Sequence, residues 1–407
     1  MFSRRLPWPV EPNRIARLLR EKRRRGEAIL DLTESNPTRV GLDYPAEEIA
    51  AALADGGAAA YDPHPRGMPE AREAVAAHYA RRGLAVPADR IVLTASTSEA
   101  YALLFKMLSD PGDRVLVPRP SYPLFDYLAA LESLAVSPYP IVHEGGWSID
   151  LQGLERQLEA REAPPATAVV VVNPNNPTGT GLRESERIAL EQICGRRGTA
   201  IISDEVFFDY LALGPAVPDA ERGADRIVSL LSPLPALPVP APLRFTLGGL
   251  SKACGLPQMK LAWIVVDGPG EPADEAIDRL ELIADTYLSV GTPVQRAAAR
   301  LLDLGERIQQ AIRSRVAGNR LAIPGMIGRD SPCRLLEADG GWSAVLQVPA
   351  LQPEEDLVLA LLAQDDTLVH PGYFFDFPRE AYLVPSLLPA PGEFREALRR
   401  LLARASG

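Results

Sequence analysis

In "FTLGGLSKACGLPQMKLAW", residues Phe245 to Trp263, Lys252 follows a serine inside a glycine-rich apolar run and Lys260 comes eight positions later. Taking an ammonium out of water is expensive, so a lysine in such a setting is neutralised, paired or used covalently. Two readings follow: a salt-bridged core lysine, or an amine that forms a Schiff base with an aldehyde. Other polar clusters bear on the choice. "IISDEVFF" sends Asp204 out of the end of an apolar strand, where a carboxylate needs a cation or a donor. "VVNPNNPTG" holds Asn176 between prolines at the end of another. "LTASTSEA" puts Ser96, Thr97 and Ser98 between a strand and a helix. Amides and hydroxyls there suit a phosphate, although plain N-capping uses the same residues. "RPSYPLFDY" offers Tyr122, which either stacks on a planar ring or packs in a core. "AAYDPHPRGMPEAREAV" begins with Tyr61 and a turn-rich loop. Taken together, these parts suit a planar phosphorylated aromatic with a ring nitrogen that wants a carboxylate and an aldehyde that wants an amine. Pyridoxal 5′-phosphate has that chemistry.

The elements that must position these residues are short β-branched runs: 90–96, 114–120, 168–174, 199–205, 226–231, 244–249 and 261–266. Most are continuously apolar, as strands covered on both faces are, and helical patterns separate several of them. The expected fold class is α/β, with a large domain built on a mostly parallel seven-stranded sheet flanked by helices. Ligands gather at the strand C-termini of such sheets, and the clusters holding Ser96, Tyr122, Asn176, Asp204 and Lys252 all follow strands. Beyond about residue 290 three strand-like runs, "GGWSAVLQV", "TLVHPGYFF" and "YLVPSLL", alternate with helices, which predicts a smaller α+β domain. The expected division is 1–45 as an N-terminal segment packing with the small domain, 46–289 as the large domain and 290–407 as the small one. "SPLPALPVPAP", 232–242, reads as an extended surface loop.

The 407 residues, 46% hydrophobic and 24% charged, have ordinary globular composition, and a net charge of −10 argues against nucleic-acid and anionic-membrane partners. "REKRRRGE", the one basic run, follows an amphipathic stretch and reads as a solvated helix end. No apolar window is long enough to span a membrane, and the N-terminal stretch lacks a signal-peptide core. Three isolated cysteines and four scattered histidines offer no metal spacing, so no metal site is expected and a cytoplasmic enzyme is the default.

The ordered set "YDPHPRGMPEAREAV", "LTASTSEAYALL", "DPGDRVLVPRPSYP", "NPNNPTG", "SDEVFF" and "GLSKACGLPQMKLAW" resembles the class I/II aminotransferases, fold type I of the pyridoxal-phosphate enzymes. "VHPGYFF" is similar to that family's small-domain turn, so the resemblance spans nearly the whole chain. It implies that Lys252 is the Schiff-base lysine and moves the proton at the substrate Cα. Asp204 would pair with the pyridine nitrogen, Asn176 with the ring's phenolic oxygen, and Tyr122 would stack on the ring. Ser96, Thr97, Ser98 and Ser251 would hold the phosphate with Lys260. Tyr61 would reach the partner subunit's phosphate across a homodimer whose active sites are shared. The implied reaction moves an amino group between an amino acid and a 2-oxo acid by a ping-pong route.

Three positions depart from the family pattern. Phe207 stands where a tyrosine usually donates to the phenolic oxygen, with Tyr210 a possible substitute. Lys260 replaces an arginine, a point charge in place of a fork. Val384 occupies the place of the arginine that grips the substrate α-carboxylate, with Ser386 two positions on. Arg39 or Arg66 could supply that charge or could be surface residues, and Asn36 in "ESNPT" is placed to line the substrate pocket. The missing arginine keeps an alternative open: a lyase or cyclase using the same cofactor on a modified amino acid.

Overall fold

A computed structural model describes residues 2–5, 8, 11–54, 56–59, 61–160, 162–211, 225–288 and 290–407. The expected domain boundary at 289 lies outside the described residues. Strand β1 (Leu30–Asp31) comes first, followed by β2 (Ile91–Thr94), β3 (Arg114–Arg119), β4 (Ala135–His143), β5 (Trp147–Ile149), β6 (Ala166–Val172), β7 (Ala200–Asp204), β8 (Arg244–Gly249) and β9 (Ala262–Asp267). From β2 onward these form one sheet in the order β2-β9-β8-β7-β6-β3-β4-β5. The pairs β4·β3, β3·β6, β6·β7 and β7·β8 are parallel, while β9 runs antiparallel to both its neighbours. The central strands are buried along nearly their whole length, as continuous Val and Ile runs require when helices cover both faces.

Two strand assignments change. Residues 226–231 are not a strand: Ile227 makes a single bridge to Arg183, because both edges of β7 are already taken by β6 and β8. Residues 135–143 are a strand that the pattern hid. β4 contains Pro138 and Pro140 and alternates exposed with buried residues, as a strand near a sheet margin can. With β5 folded back on it, the sheet has eight strands.

The C-terminal part adds β10 (Arg334–Leu335), β11 (Leu346–Gln347), β12 (Thr367–Leu368), β13 (His370–Pro371) and β14 (Tyr382–Val384). Four of them form an antiparallel sheet in the order β10-β11-β14-β13. β12 instead pairs in parallel with β1, Leu30 opposite Thr367. The helix Arg14–Arg24 packs on the helix Glu354–Gln364, with Arg14 bonded to Glu355 and Asp356. That helix holds most of the basic run, and its arginines are exposed, but Lys22 is buried between Glu27 and Asp366 at 2.6 and 2.7 Å. The long helix Ala298–Met326 bears on helices Pro69–Ala80 and Pro391–Ala405, and one continuous apolar core runs beneath it. No helix among the described residues is long and apolar enough to cross a membrane.

Candidate active site

Four parallel strands deliver their C-terminal ends to one edge of the sheet. β7 ends on Asp204; β8 ends on Gly248–Gly249 and passes directly into the helical turn Leu250–Ala253, which carries Lys252. The two glycines have a steric cause. A Cβ on Gly248 would stand 2.5 Å from the Trp263 indole nitrogen on β9, and that nitrogen donates to Tyr79 Oη at 2.9 Å. β6 runs into the Asn173–Gly179 loop. There the Asn175 side chain donates to Pro120 O and Thr178 Oγ1 and accepts from Ser121 Oγ, pinning the β6 and β3 loops together.

The C-terminal unit closes against this edge through a second glycine contact. A Cβ on Gly179, which sits at φ +70°, would lie 2.3 Å from Gly340 O. That close approach lets the 339–343 segment lie on the loop, where Ser343 Oγ donates to Asn176 Oδ1 at 3.4 Å. The same segment brings Trp342 over the lysine. Lys252 Nζ lies 4.7 Å from the Trp342 ring centroid and 5.5 Å from that of Phe207, and the two rings meet edge to face. Among the described residues Nζ has no hydrogen-bond acceptor. Burial pulls the Lys252 amine down to about 8, against the opposing charge of Asp204.

Asp204 accepts from the Val206 amide through Oδ1 and from Tyr101 Oη through Oδ2, both at 3.2 Å. Burial pushes its carboxyl up to about 6, although the Val206 amide, the Tyr101 hydroxyl and the Lys252 charge all pull it down. Ser96 is the N-cap of helix Thr97–Leu108, its Oγ accepting from the Glu99 amide at 3.1 Å. The Glu99 carboxylate returns the favour to the Ala95 amide, so Ser96 is committed to capping. Thr97 and Ser98 keep first-turn amides that no helix can satisfy internally.

The other expected residues take varied positions. Tyr122 is 46% exposed and Tyr61 79% exposed. Lys260 is exposed and stands at φ 53°, ψ 50°, a left-handed conformation. Ser251 is half-buried in the turn beside Lys252. Asn36 caps its own short turn, accepting from the Thr38 amide and hydroxyl, next to Glu34, whose carbonyl accepts from Ser386 Oγ. Arg39 opens onto a cleft of about 500 Å³ shared with Glu34, Glu393 and Arg400. Arg66 is turned to Glu281 at 2.9 Å. Tyr210 is fully buried and donates to the Lys252 carbonyl at 2.7 Å, so it is committed to the backbone and does not substitute for the phenol absent at Phe207. Val384 is buried in an apolar cluster with Ile141, Trp147, Phe375 and Phe377. Trp342 and Tyr101 were not singled out by sequence. Both sit in apolar stretches where an aromatic reads as core.

The family model for aminotransferase class I and II matches residues 27–361, and the chain belongs to that family. It is a transaminase. The glutamate-pyruvate aminotransferase AlaA of Escherichia coli (strain K12) is 26% identical over 396 residues, covering 94% of this chain and 91% of its own. The alanine aminotransferase of Mycobacterium bovis is 29% identical over 401 residues, covering 92% and 85%. Among solved structures, an aminotransferase from Escherichia coli superposes with a TM-score of 0.83 at 24% identity, covering 100% of this chain and 98% of that one. The alanine aminotransferase from Pyrococcus furiosus does so at 0.82 and 22% identity, covering 99% of each. These two likenesses bear out the α/β fold.

Proposed function

We propose that this transaminase uses pyridoxal 5′-phosphate, with Lys252 as its Schiff-base lysine, to move an amino group between an amino acid and a 2-oxo acid by a ping-pong route. The observation that carries the reading is the pairing of an amine without a hydrogen-bond acceptor, walled by Phe207 and Trp342, with a doubly hydrogen-bonded carboxylate, both at the C-terminal edge of one sheet. The donor set fits the cofactor. Asp204 suits the pyridine nitrogen, Asn176 the phenolic oxygen and Tyr122 the ring face. The Thr97 and Ser98 amides and hydroxyls, with Ser251 and Lys260, suit the phosphate, while the Ser96 hydroxyl caps the helix that presents them. When bound, the cofactor supplies an aldehyde that takes the amino group and a ring that withdraws electrons from the substrate Cα.

The chain's own residues supply the rest. With its amine near 8, Lys252 exchanges a proton at Nζ close to neutrality, as a base acting at Cα must. Asp204 holds its negative charge where Lys252 feels it. Phe207 and Trp342 keep water from the amine and restrict its reach. Tyr210 fixes the Lys252 backbone.

We further propose the division 1–45, 46–289 and 290–407, a homodimer in which the exposed Tyr61 serves the partner's site, and a cytoplasmic setting. The names of the relatives support alanine with 2-oxoglutarate, and glutamate with pyruvate, as the first pairs to assay. The decisive test is borohydride reduction of the cofactor-loaded protein followed by peptide mass analysis. The adduct is expected on the peptide containing Lys252. An adduct on another amine, or none despite added cofactor, rejects the reading.

A further inference from the structure

We propose that Tyr101 is a positioning residue for the reaction, its hydroxyl holding the Asp204 carboxylate ionised and fixed at the C-terminal end of β7; this rests on the cofactor reading above. Tyr101 is 1% exposed, and its Oη donates to Asp204 Oδ2 at 3.2 Å. The ring has little freedom. It meets Phe125 edge to face, centroids 5.4 Å apart at 81°, and lies 5.8 Å from Phe105. It belongs to the helix Thr97–Leu108, whose first turn presents Thr97 and Ser98. One rigid element therefore orients both the anion cradle and the carboxylate.

Each Asp204 oxygen carries one donor, Val206 N–H on Oδ1 and Tyr101 O–H on Oδ2. Lys252 is the cation that faces the carboxylate. Tyr139 lies near Tyr101, but its hydroxyl is committed to Val170 O at 2.7 Å. Among the described residues Tyr101 is the one group hydrogen-bonded to Oδ2. A hydrogen bond to a buried carboxylate favours its charged form. Asp204 sits near 6 with that bond in place. Losing it raises the carboxyl by about one to two pH units, which carries it across neutrality.

The test is pH-difference infrared spectroscopy of the apo-protein, with Asp204→Asn identifying the band. Tyr101→Phe is expected to move the Asp204 midpoint up by about one to two pH units. An unmoved midpoint overturns the inference. If Tyr101→Phe fails to fold, 3-fluorotyrosine placed at 101 keeps the packing and makes the phenol a stronger donor. The midpoint must then fall, and a midpoint that stays or rises is equally fatal. In the loaded enzyme the acid limb of the kcat/KM profile of Tyr101→Phe is expected to move with the carboxyl. If the midpoint moves but Lys252 takes no borohydride adduct, the cofactor reading falls and takes the positioning role of Tyr101 in the reaction with it. An adduct with an unmoved midpoint overturns the Tyr101 inference alone.

Discussion

Replacing Lys252 with methionine, which keeps its length and removes its charge, is expected to stabilise the apo-protein while abolishing transamination. Burial draws the amine from 10.5 to about 8, so below that point the folded chain carries an ammonium that water solvates better. At about 1.4 kcal/mol per pH unit the cost near pH 7 is roughly 3 kcal/mol. The faces of Trp342 and Phe207 reduce the gain by returning about 1 kcal/mol to the ammonium, while the attraction of Asp204 is already contained in the value of about 8. The net expectation is about 2 kcal/mol in favour of methionine near neutrality. The sign fixes the window. The folded value lies below the unfolded one, so the cost is complete below about 8 and fades as pH climbs toward 10.5. The advantage of methionine must fade over the same interval. Urea denaturation of the two apo-proteins at pH values on either side of that window measures it. If methionine brings no gain near neutrality, or a gain that is unchanged at high pH, the amine is not under the strain described.

Three more variants have expected outcomes. Asp204→Asn stabilises the apo-protein near neutrality, because a carboxyl raised from 3.8 to about 6 is penalised above the upper value, and the gain disappears as pH falls through that range. The same variant slows the single-turnover half-reaction by about 10²–10³-fold, followed by stopped-flow absorbance. Val384→Arg does not restore a carboxylate clamp: it buries a guanidinium among Ile141, Trp147 and Phe377 and costs about 3–5 kcal/mol, read as a lost melting transition or insoluble protein. Lys260→Gly relieves a left-handed backbone at φ 53°. It should raise apo stability by about 1 kcal/mol and weaken pyridoxal phosphate binding about tenfold or more, measured by equilibrium dialysis.

Lys252 and Asp204 stood out because a charged residue within an apolar run, or at the end of an apolar strand, has few benign explanations. The same logic located the sheet edge, since β6, β7 and β8 are continuous hydrophobic runs that end in polar clusters. Ser96 was legible only as a choice between capping and anion binding, and the structure shows its hydroxyl capping the helix. Trp342 and Tyr101 were hidden for a physical reason: what distinguishes them is a partner far along the chain, Lys252 for one and Asp204 for the other, and local periodicity carries no trace of it. β4 was hidden by its prolines, which count against a strand except where a neighbour does not need the amide. Residues 226–231 misled in the opposite direction, being apolar enough for a strand but left without a free edge to join. Val384 shows how an absent residue can be read. The departure was visible in sequence, while the apolar cluster that fills its place was not.

The pairing of β1 with β12 ties a segment near residue 30 to one near residue 367. On the ribosome the first of these must wait for nearly the whole polypeptide to emerge, tens of seconds at ordinary elongation rates. Lys252 and Asp204 leave the exit tunnel well before Trp342 and Ser343, which wall the amine and touch Asn176. A nascent chain thus carries Lys252 without its Trp342 wall, and enclosure of that amine is a late event in the life of the chain; pulse-labelling of amines on stalled chains of increasing length would show when it happens.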